Sequence, residues 1–268
     1  MAGRLAILAC GGALPVQLAA AYPDAMQITL NGIPSELAGT AQSFQLEKFG
    51  TIFDAMRTAG VTRMVFAGHL ARPPLNPALF DATMMRIAPG LMQAVVKGDD
   101  ALLRHIIGIF EAEGFEVVGA HELLPDLAVS AGLHLGPAPT TAEEADITRG
   151  FDILDGLAPL DLGQGCAVAG GLCLGVETIQ GTDAILRYIG TTPEALKRGQ
   201  RGVYVKAPKR GQDLRVDMPA IGAQTIEAVA DAGLAGLVIA EGQVLVLDAD
   251  RVKSAVEERG IFLISRSV

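Results

Sequence analysis

Along the chain, continuous apolar runs of strand length alternate with segments in which apolar positions recur every three or four residues, and Gly or Pro separates most of them. Continuous runs of this kind suit strands buried on both faces of a mainly parallel sheet, with the periodic segments as covering helices. In the first half, strands are predicted at Leu5–Ala9, Met26–Leu30, Phe44–Leu46, Met64–Ala67 and Phe115–Val118. Helices are predicted from the turn after Cys10 to about Ala21, from Gly50 to Thr58, and from Ala101 to Glu113. Lys97-Gly98 breaks the helical pattern ahead of the last of these, and Asp99 or Asp100 is expected to cap it.

Between Asp126 and Thr140 periodicity fades and Gly and Pro accumulate, ending in Gly136-Pro137-Ala138-Pro139. This is the expected boundary between a domain of residues 1–134 and a second of residues 140–268. The second opens with a capping box, Thr140 or Thr141 with Glu143 or Glu144, on a helix reaching about Gly156. A hairpin follows, with strands Cys166–Ala169 and Leu172–Val176 split by Gly170-Gly171. After it come a helix from Gly181, a strand at Val203–Val205, a helix from Gly222 to Ala232, strands at Leu237–Ala240 and Val244–Leu247, a helix from Asp248 to Glu258 and a strand at Ile261–Ile264. The fold class is therefore α/β in two domains: an N-terminal Rossmann-like parallel sheet and a C-terminal mixed α/β domain.

Composition narrows the function. Of 268 residues, 50% are hydrophobic and only 4% aromatic, so the cores must be built mainly from aliphatic side chains. A net charge of −9 argues against a nucleic-acid binder, which needs a cationic face. The three cysteines show no metal spacing and fit a reduced, cytoplasmic setting. The short apolar run near the N-terminus breaks into Gly11-Gly12, which reads as a first strand and not as a signal peptide.

Against this acidic background, Lys206 to Gly222 (KAPKRGQDLRVDMPAIG) gathers Lys206, Lys209, Arg210 and Arg215 with Asp213 and Asp217, at neither helical nor strand spacing. Lysine and arginine suit phosphate oxygens, and carboxylates suit a hard cation such as magnesium. Together they point to phosphoryl chemistry, with a solvated loop of internal ion pairs as the plain alternative. Gly11-Gly12 lies between a strand and a helix, where backbone N–H groups can meet an anion. His69 and Arg72 follow the carboxyl end of a parallel strand, the usual place for a ligand in such sheets. Glu177 leaves a strand just before Thr182-Asp183 opens a helix, and these groups could face one cleft.

The chain closely resembles the LpxI family, the UDP-2,3-diacylglucosamine pyrophosphatases of lipid A biosynthesis. The likeness rests on GGALP at 11–15, FAGHLARP at 66–73, KGDDALLR at 97–104, EGFEVVGAHELL at 113–124, LDLGQG at 160–165, Glu177 with Gly181–Asp183, and the stretch from Lys206 to Gly222. It departs from the family at Cys10, where a third glycine is usual. The resemblance implies hydrolysis of UDP-2,3-diacylglucosamine to UMP and 2,3-diacylglucosamine 1-phosphate (lipid X), with water attacking the phosphorus on the sugar side and Mg2+ or Mn2+ as cofactor. The essential aspartate of its RxDxPxxG pattern falls on Asp217, with Asp213 as a second metal ligand. The recurring positions Gly11, Gly12, His69, Arg72, Lys97, Asp99, Gln164, Thr182, Asp183, Lys206, Lys209, Gln212 and Arg215 are carried over as substrate-binding. The resemblance also implies a ligand cleft between the two domains. Domain closure about a hinge near Leu135–Thr140, an apolar channel for the acyl chains, a homodimer, and peripheral contact with the inner face of the inner membrane are further expectations. Two rivals are a Rossmann-type transferase or oxidoreductase, and a module that binds a UDP-sugar or lipid without cleaving it.

Overall fold

The computed structural model describes residues 3–70, 73–129 and 132–268. The chain folds as two compact units, one of Met1–Pro125 with Arg215–Asp217 and another of Asp126–Leu214 with Met218–Val268.

In the first unit the strand β1 (Arg4–Ala9) is buried along all but its first residue, as a central strand of a parallel sheet must be. Helix α1 (Ala13–Ala21) carries the chain to β2 (Met26–Leu30), and β3 (Gln42–Phe44) forms the edge. Helix α2 (Phe49–Thr58) returns to β4 (Val61–Ala67). Helices α3 (Ala82–Lys97) and α4 (Asp99–Ala112) pack as a hairpin before β5 (Glu116–Val117) and the short α5 (Ala120–Leu123). All pairings are parallel and the order is β3-β2-β1-β4-β5, which makes the unit Rossmann-like. Phe49, Phe53, Phe66, Phe110 and Phe115 interlock edge-to-face and stacked around α2 and α4, so the few aromatics of the chain are concentrated here.

Two expectations shift. The third strand lies at Gln42–Phe44 and not at Phe44–Leu46, because Leu46 packs its side chain against the core without pairing to β2. Gly98, at φ 120°, occupies the N-cap of α4, so Asp99 and Asp100 lie inside the first turn. Their charges there complement the positive end of the helix, and Asp100 accepts from Arg104 one turn on.

The second unit begins with β6 (His134–Leu135) and α6 (Thr141–Leu157). The hairpin β7 (Gly165–Ala169) and β8 (Leu172–Val176) leads to α7 (Thr182–Gly190) and β9 (Val203–Lys206). Then come β10 (Ala220–Ile221), α8 (Ala223–Asp231), β11 (Gly236–Ala240), β12 (Leu245–Val246), α9 (Ala249–Arg259) and β13 (Phe262–Arg266). The main sheet is mixed, in the order β6-β13-β11-β9-β7-β8, with β9, β11 and β13 parallel. The capping box forms between Thr140 and Glu143. Asp146, on α6 and buried, accepts from the backbone N–H groups of both Gly170 and Gly171 and so pins the hairpin turn.

The units divide at Pro125/Asp126, at the start of the Gly/Pro-rich stretch and not at 134–140. The reason is pairing: Leu135, expected at a hinge, is hydrogen-bonded into the second sheet opposite Leu263.

Candidate active site

In the second unit β8 and β9 run in the same direction, since each is antiparallel to β7. Their carboxyl ends deliver Glu177 and Lys206 to one edge of the sheet, beside the start of α7 at Thr182. Lys206 Nζ donates to Thr182 Oγ1 at 2.7 Å and lies 3.6 Å from Glu177 Oε2. Thr182 Oγ1 donates to the same Glu177 oxygen at 3.0 Å, and Tyr204 Oη at 2.9 Å. Lys206 is 6% exposed and Tyr204 fully buried, which makes this a polar cluster inside an apolar sheet edge. Burial, reinforced by the Glu177 charge, raises the Tyr204 phenol well above its ordinary value, so it stays a donor.

Such a cluster holds an anion well. A buried ammonium is costly unless countered, and Glu177 is the carboxylate in reach. Among the described residues Lys206 makes one hydrogen bond, so donor capacity remains for an incoming phosphate oxygen. The adjacent α7 begins at Gly181, at φ 83°, with no side-chain cap, and the first-turn N–H groups of a helix favour negative charge. Asp183, in that turn and exposed, is placed for a cation and against an anion.

The stretch after Lys206 is partly neutralised by internal pairs. Lys209 Nζ pairs with Asp161, whose left-handed φ of 50° follows the turn after α6. Arg210 pairs with Asp155 at 2.6 Å, both exposed. Gln212 closes a tight turn by accepting from the Lys209 N–H at 2.9 Å. Ala207 N–H donates to the Gln164 carbonyl, so Gln164 acts here through its backbone. A pocket of about 280 Å³ lies beside this turn, lined by apolar Phe151, Leu154 and Leu214 and by polar Lys209, Gln212 and Gln243.

The first unit carries the remaining positions. Gly11 and His69 meet at the carboxyl ends of β1 and β4, where the strand order reverses, and exchange hydrogen bonds of 3.3 and 2.8 Å. Gly68, at φ 93°, permits this approach, since a Cβ there would lie 2.5 Å from the Gly11 carbonyl oxygen. The backbone donors expected to serve an anion are engaged: Gly11 N–H by His69, and Gly12 N–H by Glu36 Oε2 at 2.9 Å. Cys10, at the position where the family has glycine, is buried, and its thiol is pushed up to about 11 by desolvation. Lys97 and Asp99 flank Gly98 at the turn between α3 and α4. Arg72 lies outside the described residues.

Arg215–Asp217 also belongs to this unit. Arg215 donates to Glu111 at 2.8 Å and to the Val117 carbonyl, and Val216 packs on the first core. These anchors fix the backbone from which Asp217 projects. The expectation that Glu177 and Thr182 face one another is met by their hydrogen bond, whereas the motifs do not mark Tyr204, Asp161 or Glu36. Glu177 has a visible signal, as an acid leaving an apolar strand, whereas Glu36 sits in a loop without a pattern.

The family model described as "LpxI N-terminal domain" matches residues 4–127, and that described as "LpxI C-terminal domain" matches residues 130–264. The chain is similar to the UDP-2,3-diacylglucosamine pyrophosphatase LpxI of Caulobacter vibrioides (strain ATCC 19089 / CIP 103742 / CB 15), with 40% identity over 270 residues, covering 97% of this chain and 96% of the relative.

Proposed function

The chain belongs to the LpxI family, and from that membership we propose that it hydrolyses the pyrophosphate of UDP-2,3-diacylglucosamine to UMP and 2,3-diacylglucosamine 1-phosphate, as a step of lipid A biosynthesis. One observation carries the reading to particular residues: the buried Lys206 ammonium, hydrogen-bonded to Thr182 at the uncapped start of α7. A phosphate there would receive N–H donors from Lys206 and from the first turn of α7, countering charge that a water-exposed lysine would counter far less.

In-line attack by water on the sugar-side phosphorus breaks its bond to the bridging oxygen, which departs with UMP. The chain's own part is to orient the diphosphate, to neutralise its oxygens and to present Asp217 as the catalytic carboxylate. Lys209 and Arg215 are paired to carboxylates, so their service to a phosphate requires exchange of partner.

Magnesium is the hard cation that a pair of carboxylates beside substrate phosphates would suit. Among the described residues no three His, Cys, Asp or Glu side chains form a self-sufficient cage, and magnesium is commonly held by one or two carboxylates together with substrate phosphates. Asp217 and Asp213 would be those carboxylates. Bound, the ion would neutralise diphosphate charge.

No helix among the described residues is long and apolar enough to cross a membrane. The acyl chains of the substrate support peripheral contact with the inner face of the inner membrane from the cytoplasm, which binding to vesicles would test. A homodimer is tested by sedimentation velocity. The activity itself is tested by mixing the protein, magnesium and UDP-diacylglucosamine. Release of UMP supports the hydrolase, and binding without UMP supports the carrier alternative. Carrying out the reaction in 18O-water places the label in the sugar phosphate if attack is on the sugar side.

A further inference from the structure

We propose that Glu177 and Tyr204 form a positioning pair that, through Thr182, aims Lys206 at the reacting diphosphate. The inference rests on the reading of that edge as the phosphate subsite. Neither residue need touch the substrate: both act through Thr182 on the ammonium that does.

The hydrogen bonds run in one direction. Lys206 Nζ donates to Thr182 Oγ1, and Thr182 in turn donates its only proton to Glu177 Oε2. Tyr204 donates to that same oxygen from within the sheet. With its proton committed to Glu177, the Thr182 oxygen presents lone pairs to Lys206, which fixes one N–H of the ammonium. The remaining donors are thereby set in direction. Glu177, 3.6 Å from the ammonium, also supplies the charge that lets it remain buried. Glu177 has 14% and Lys206 7% of its side chain exposed, so water does little to screen either.

The surrounding chain is shaped to admit this pair. A Cβ on Gly165 would stand 2.1 Å from Tyr204 Oη and 2.8 Å from Glu177 Oε2. A Cβ on Gly163 would stand 2.1 Å from the Glu177 carbonyl oxygen. Gly165 is a strand residue, where glycine is disfavoured relative to alanine. Gly165 thus makes room for the two polar side-chain ends, and Gly163 for the backbone of Glu177.

The test is a set of double-mutant cycles on kcat/KM, with folding followed by thermal midpoint. Glu177→Gln keeps shape and removes charge, and it is expected to lower kcat/KM about ten- to hundredfold. Tyr204→Phe removes one hydroxyl and is expected to lower it about three- to tenfold. In the Lys206→Ala background, where no ammonium remains to be aimed, either substitution should add less than about twofold. A merely structural role would instead multiply with Lys206→Ala. Losses that multiply, or folded Glu177→Gln and Tyr204→Phe proteins with wild-type kcat/KM, overturn the positioning pair and leave the subsite standing. Wild-type kcat/KM in Lys206→Ala would remove the subsite itself, and the inference with it. If Glu177→Gln does not fold, the Tyr204→Phe cycle decides alone.

Discussion

Arg215 Nη1 lies 2.8 Å from Glu111 Oε1 and ties the segment that carries Asp217 to α4 of the first unit. The same guanidinium reaches the Val117 carbonyl at the end of β5, and Val216, between Arg215 and Asp217, packs into the core. The backbone at Asp217 is thus anchored by both neighbours that precede it. Asp217→Asn removes the carboxylate charge with little change of shape, so UMP release is expected to fall at least a thousandfold while substrate binding, read by isothermal titration, persists. Near-normal turnover in this variant would dismiss Asp217 as the catalytic carboxylate.

Breaking the anchor should be milder. Arg215→Lys keeps the positive charge but cannot reach a carboxylate and a carbonyl with one rigid fork. The expected result is a loss of about tenfold in kcat, with a thermal midpoint near that of the parent, because a part-exposed ion pair is worth only about 0.2–1 kcal/mol. An unchanged kcat would show that the segment keeps its geometry without Arg215.

How much of this was legible beforehand follows the range of the interactions. Strands such as Leu5–Ala9 and Ile261–Ile264 announce themselves because both faces are buried, and the Thr140/Glu143 box because its two partners are three residues apart. Residues far apart in sequence are a different matter. Nothing in the spacing says that Tyr204 meets Glu177, or that Asp161 takes Lys209, since those contacts span 27 and 48 residues. The short β6 and β10 give no signal because each adjoins Gly or Pro and lacks an apolar run of its own, whereas the equally short β5 and β12 lie inside the mainly apolar runs Phe115–Val118 and Val244–Leu247. The Arg215–Asp217 excursion into the first unit likewise carries no local signal, because Val216 is one apolar residue among charges.

Asp146 offers a stability test apart from the chemistry. Its two carboxylate oxygens accept from Gly170 N–H at 2.9 Å and Gly171 N–H at 2.7 Å, and the residue is 1% exposed. Both glycines have positive φ, which glycine reaches without steric cost but does not enforce, so the carboxylate is what holds the turn. Asp146→Ala loses charge-assisted bonds and leaves a small void, at a cost of about 2–4 kcal/mol by denaturant unfolding. Asp146→Asn retains one acceptor oxygen and should recover about half of that loss.

Glu113 gives the protein an acid-sensitive joint. Its carboxylate accepts from Arg86 of α3 at 2.6 Å and also from Arg57 of α2, just beyond the end of α4. The hydrogen bond from Arg86, with that of Arg57 behind it, holds the Glu113 carboxyl below its ordinary value of 4.5. A lowered value in the folded state means that the unfolded chain binds more protons in this range, so stability rises with pH there. The contribution is fully present above the ordinary value and fades as pH falls through the lowered one. Glu113→Gln is therefore expected to destabilise by about 1 kcal/mol at pH 7, and the gap between variant and parent should close on acidification below 4.5. The check is the thermal midpoint of both proteins from about pH 7 down to about pH 3, a range that brackets the ordinary glutamate value. A gap that stays constant across that range would mean that Glu113 acts by packing, and that its charge contributes nothing to the joint.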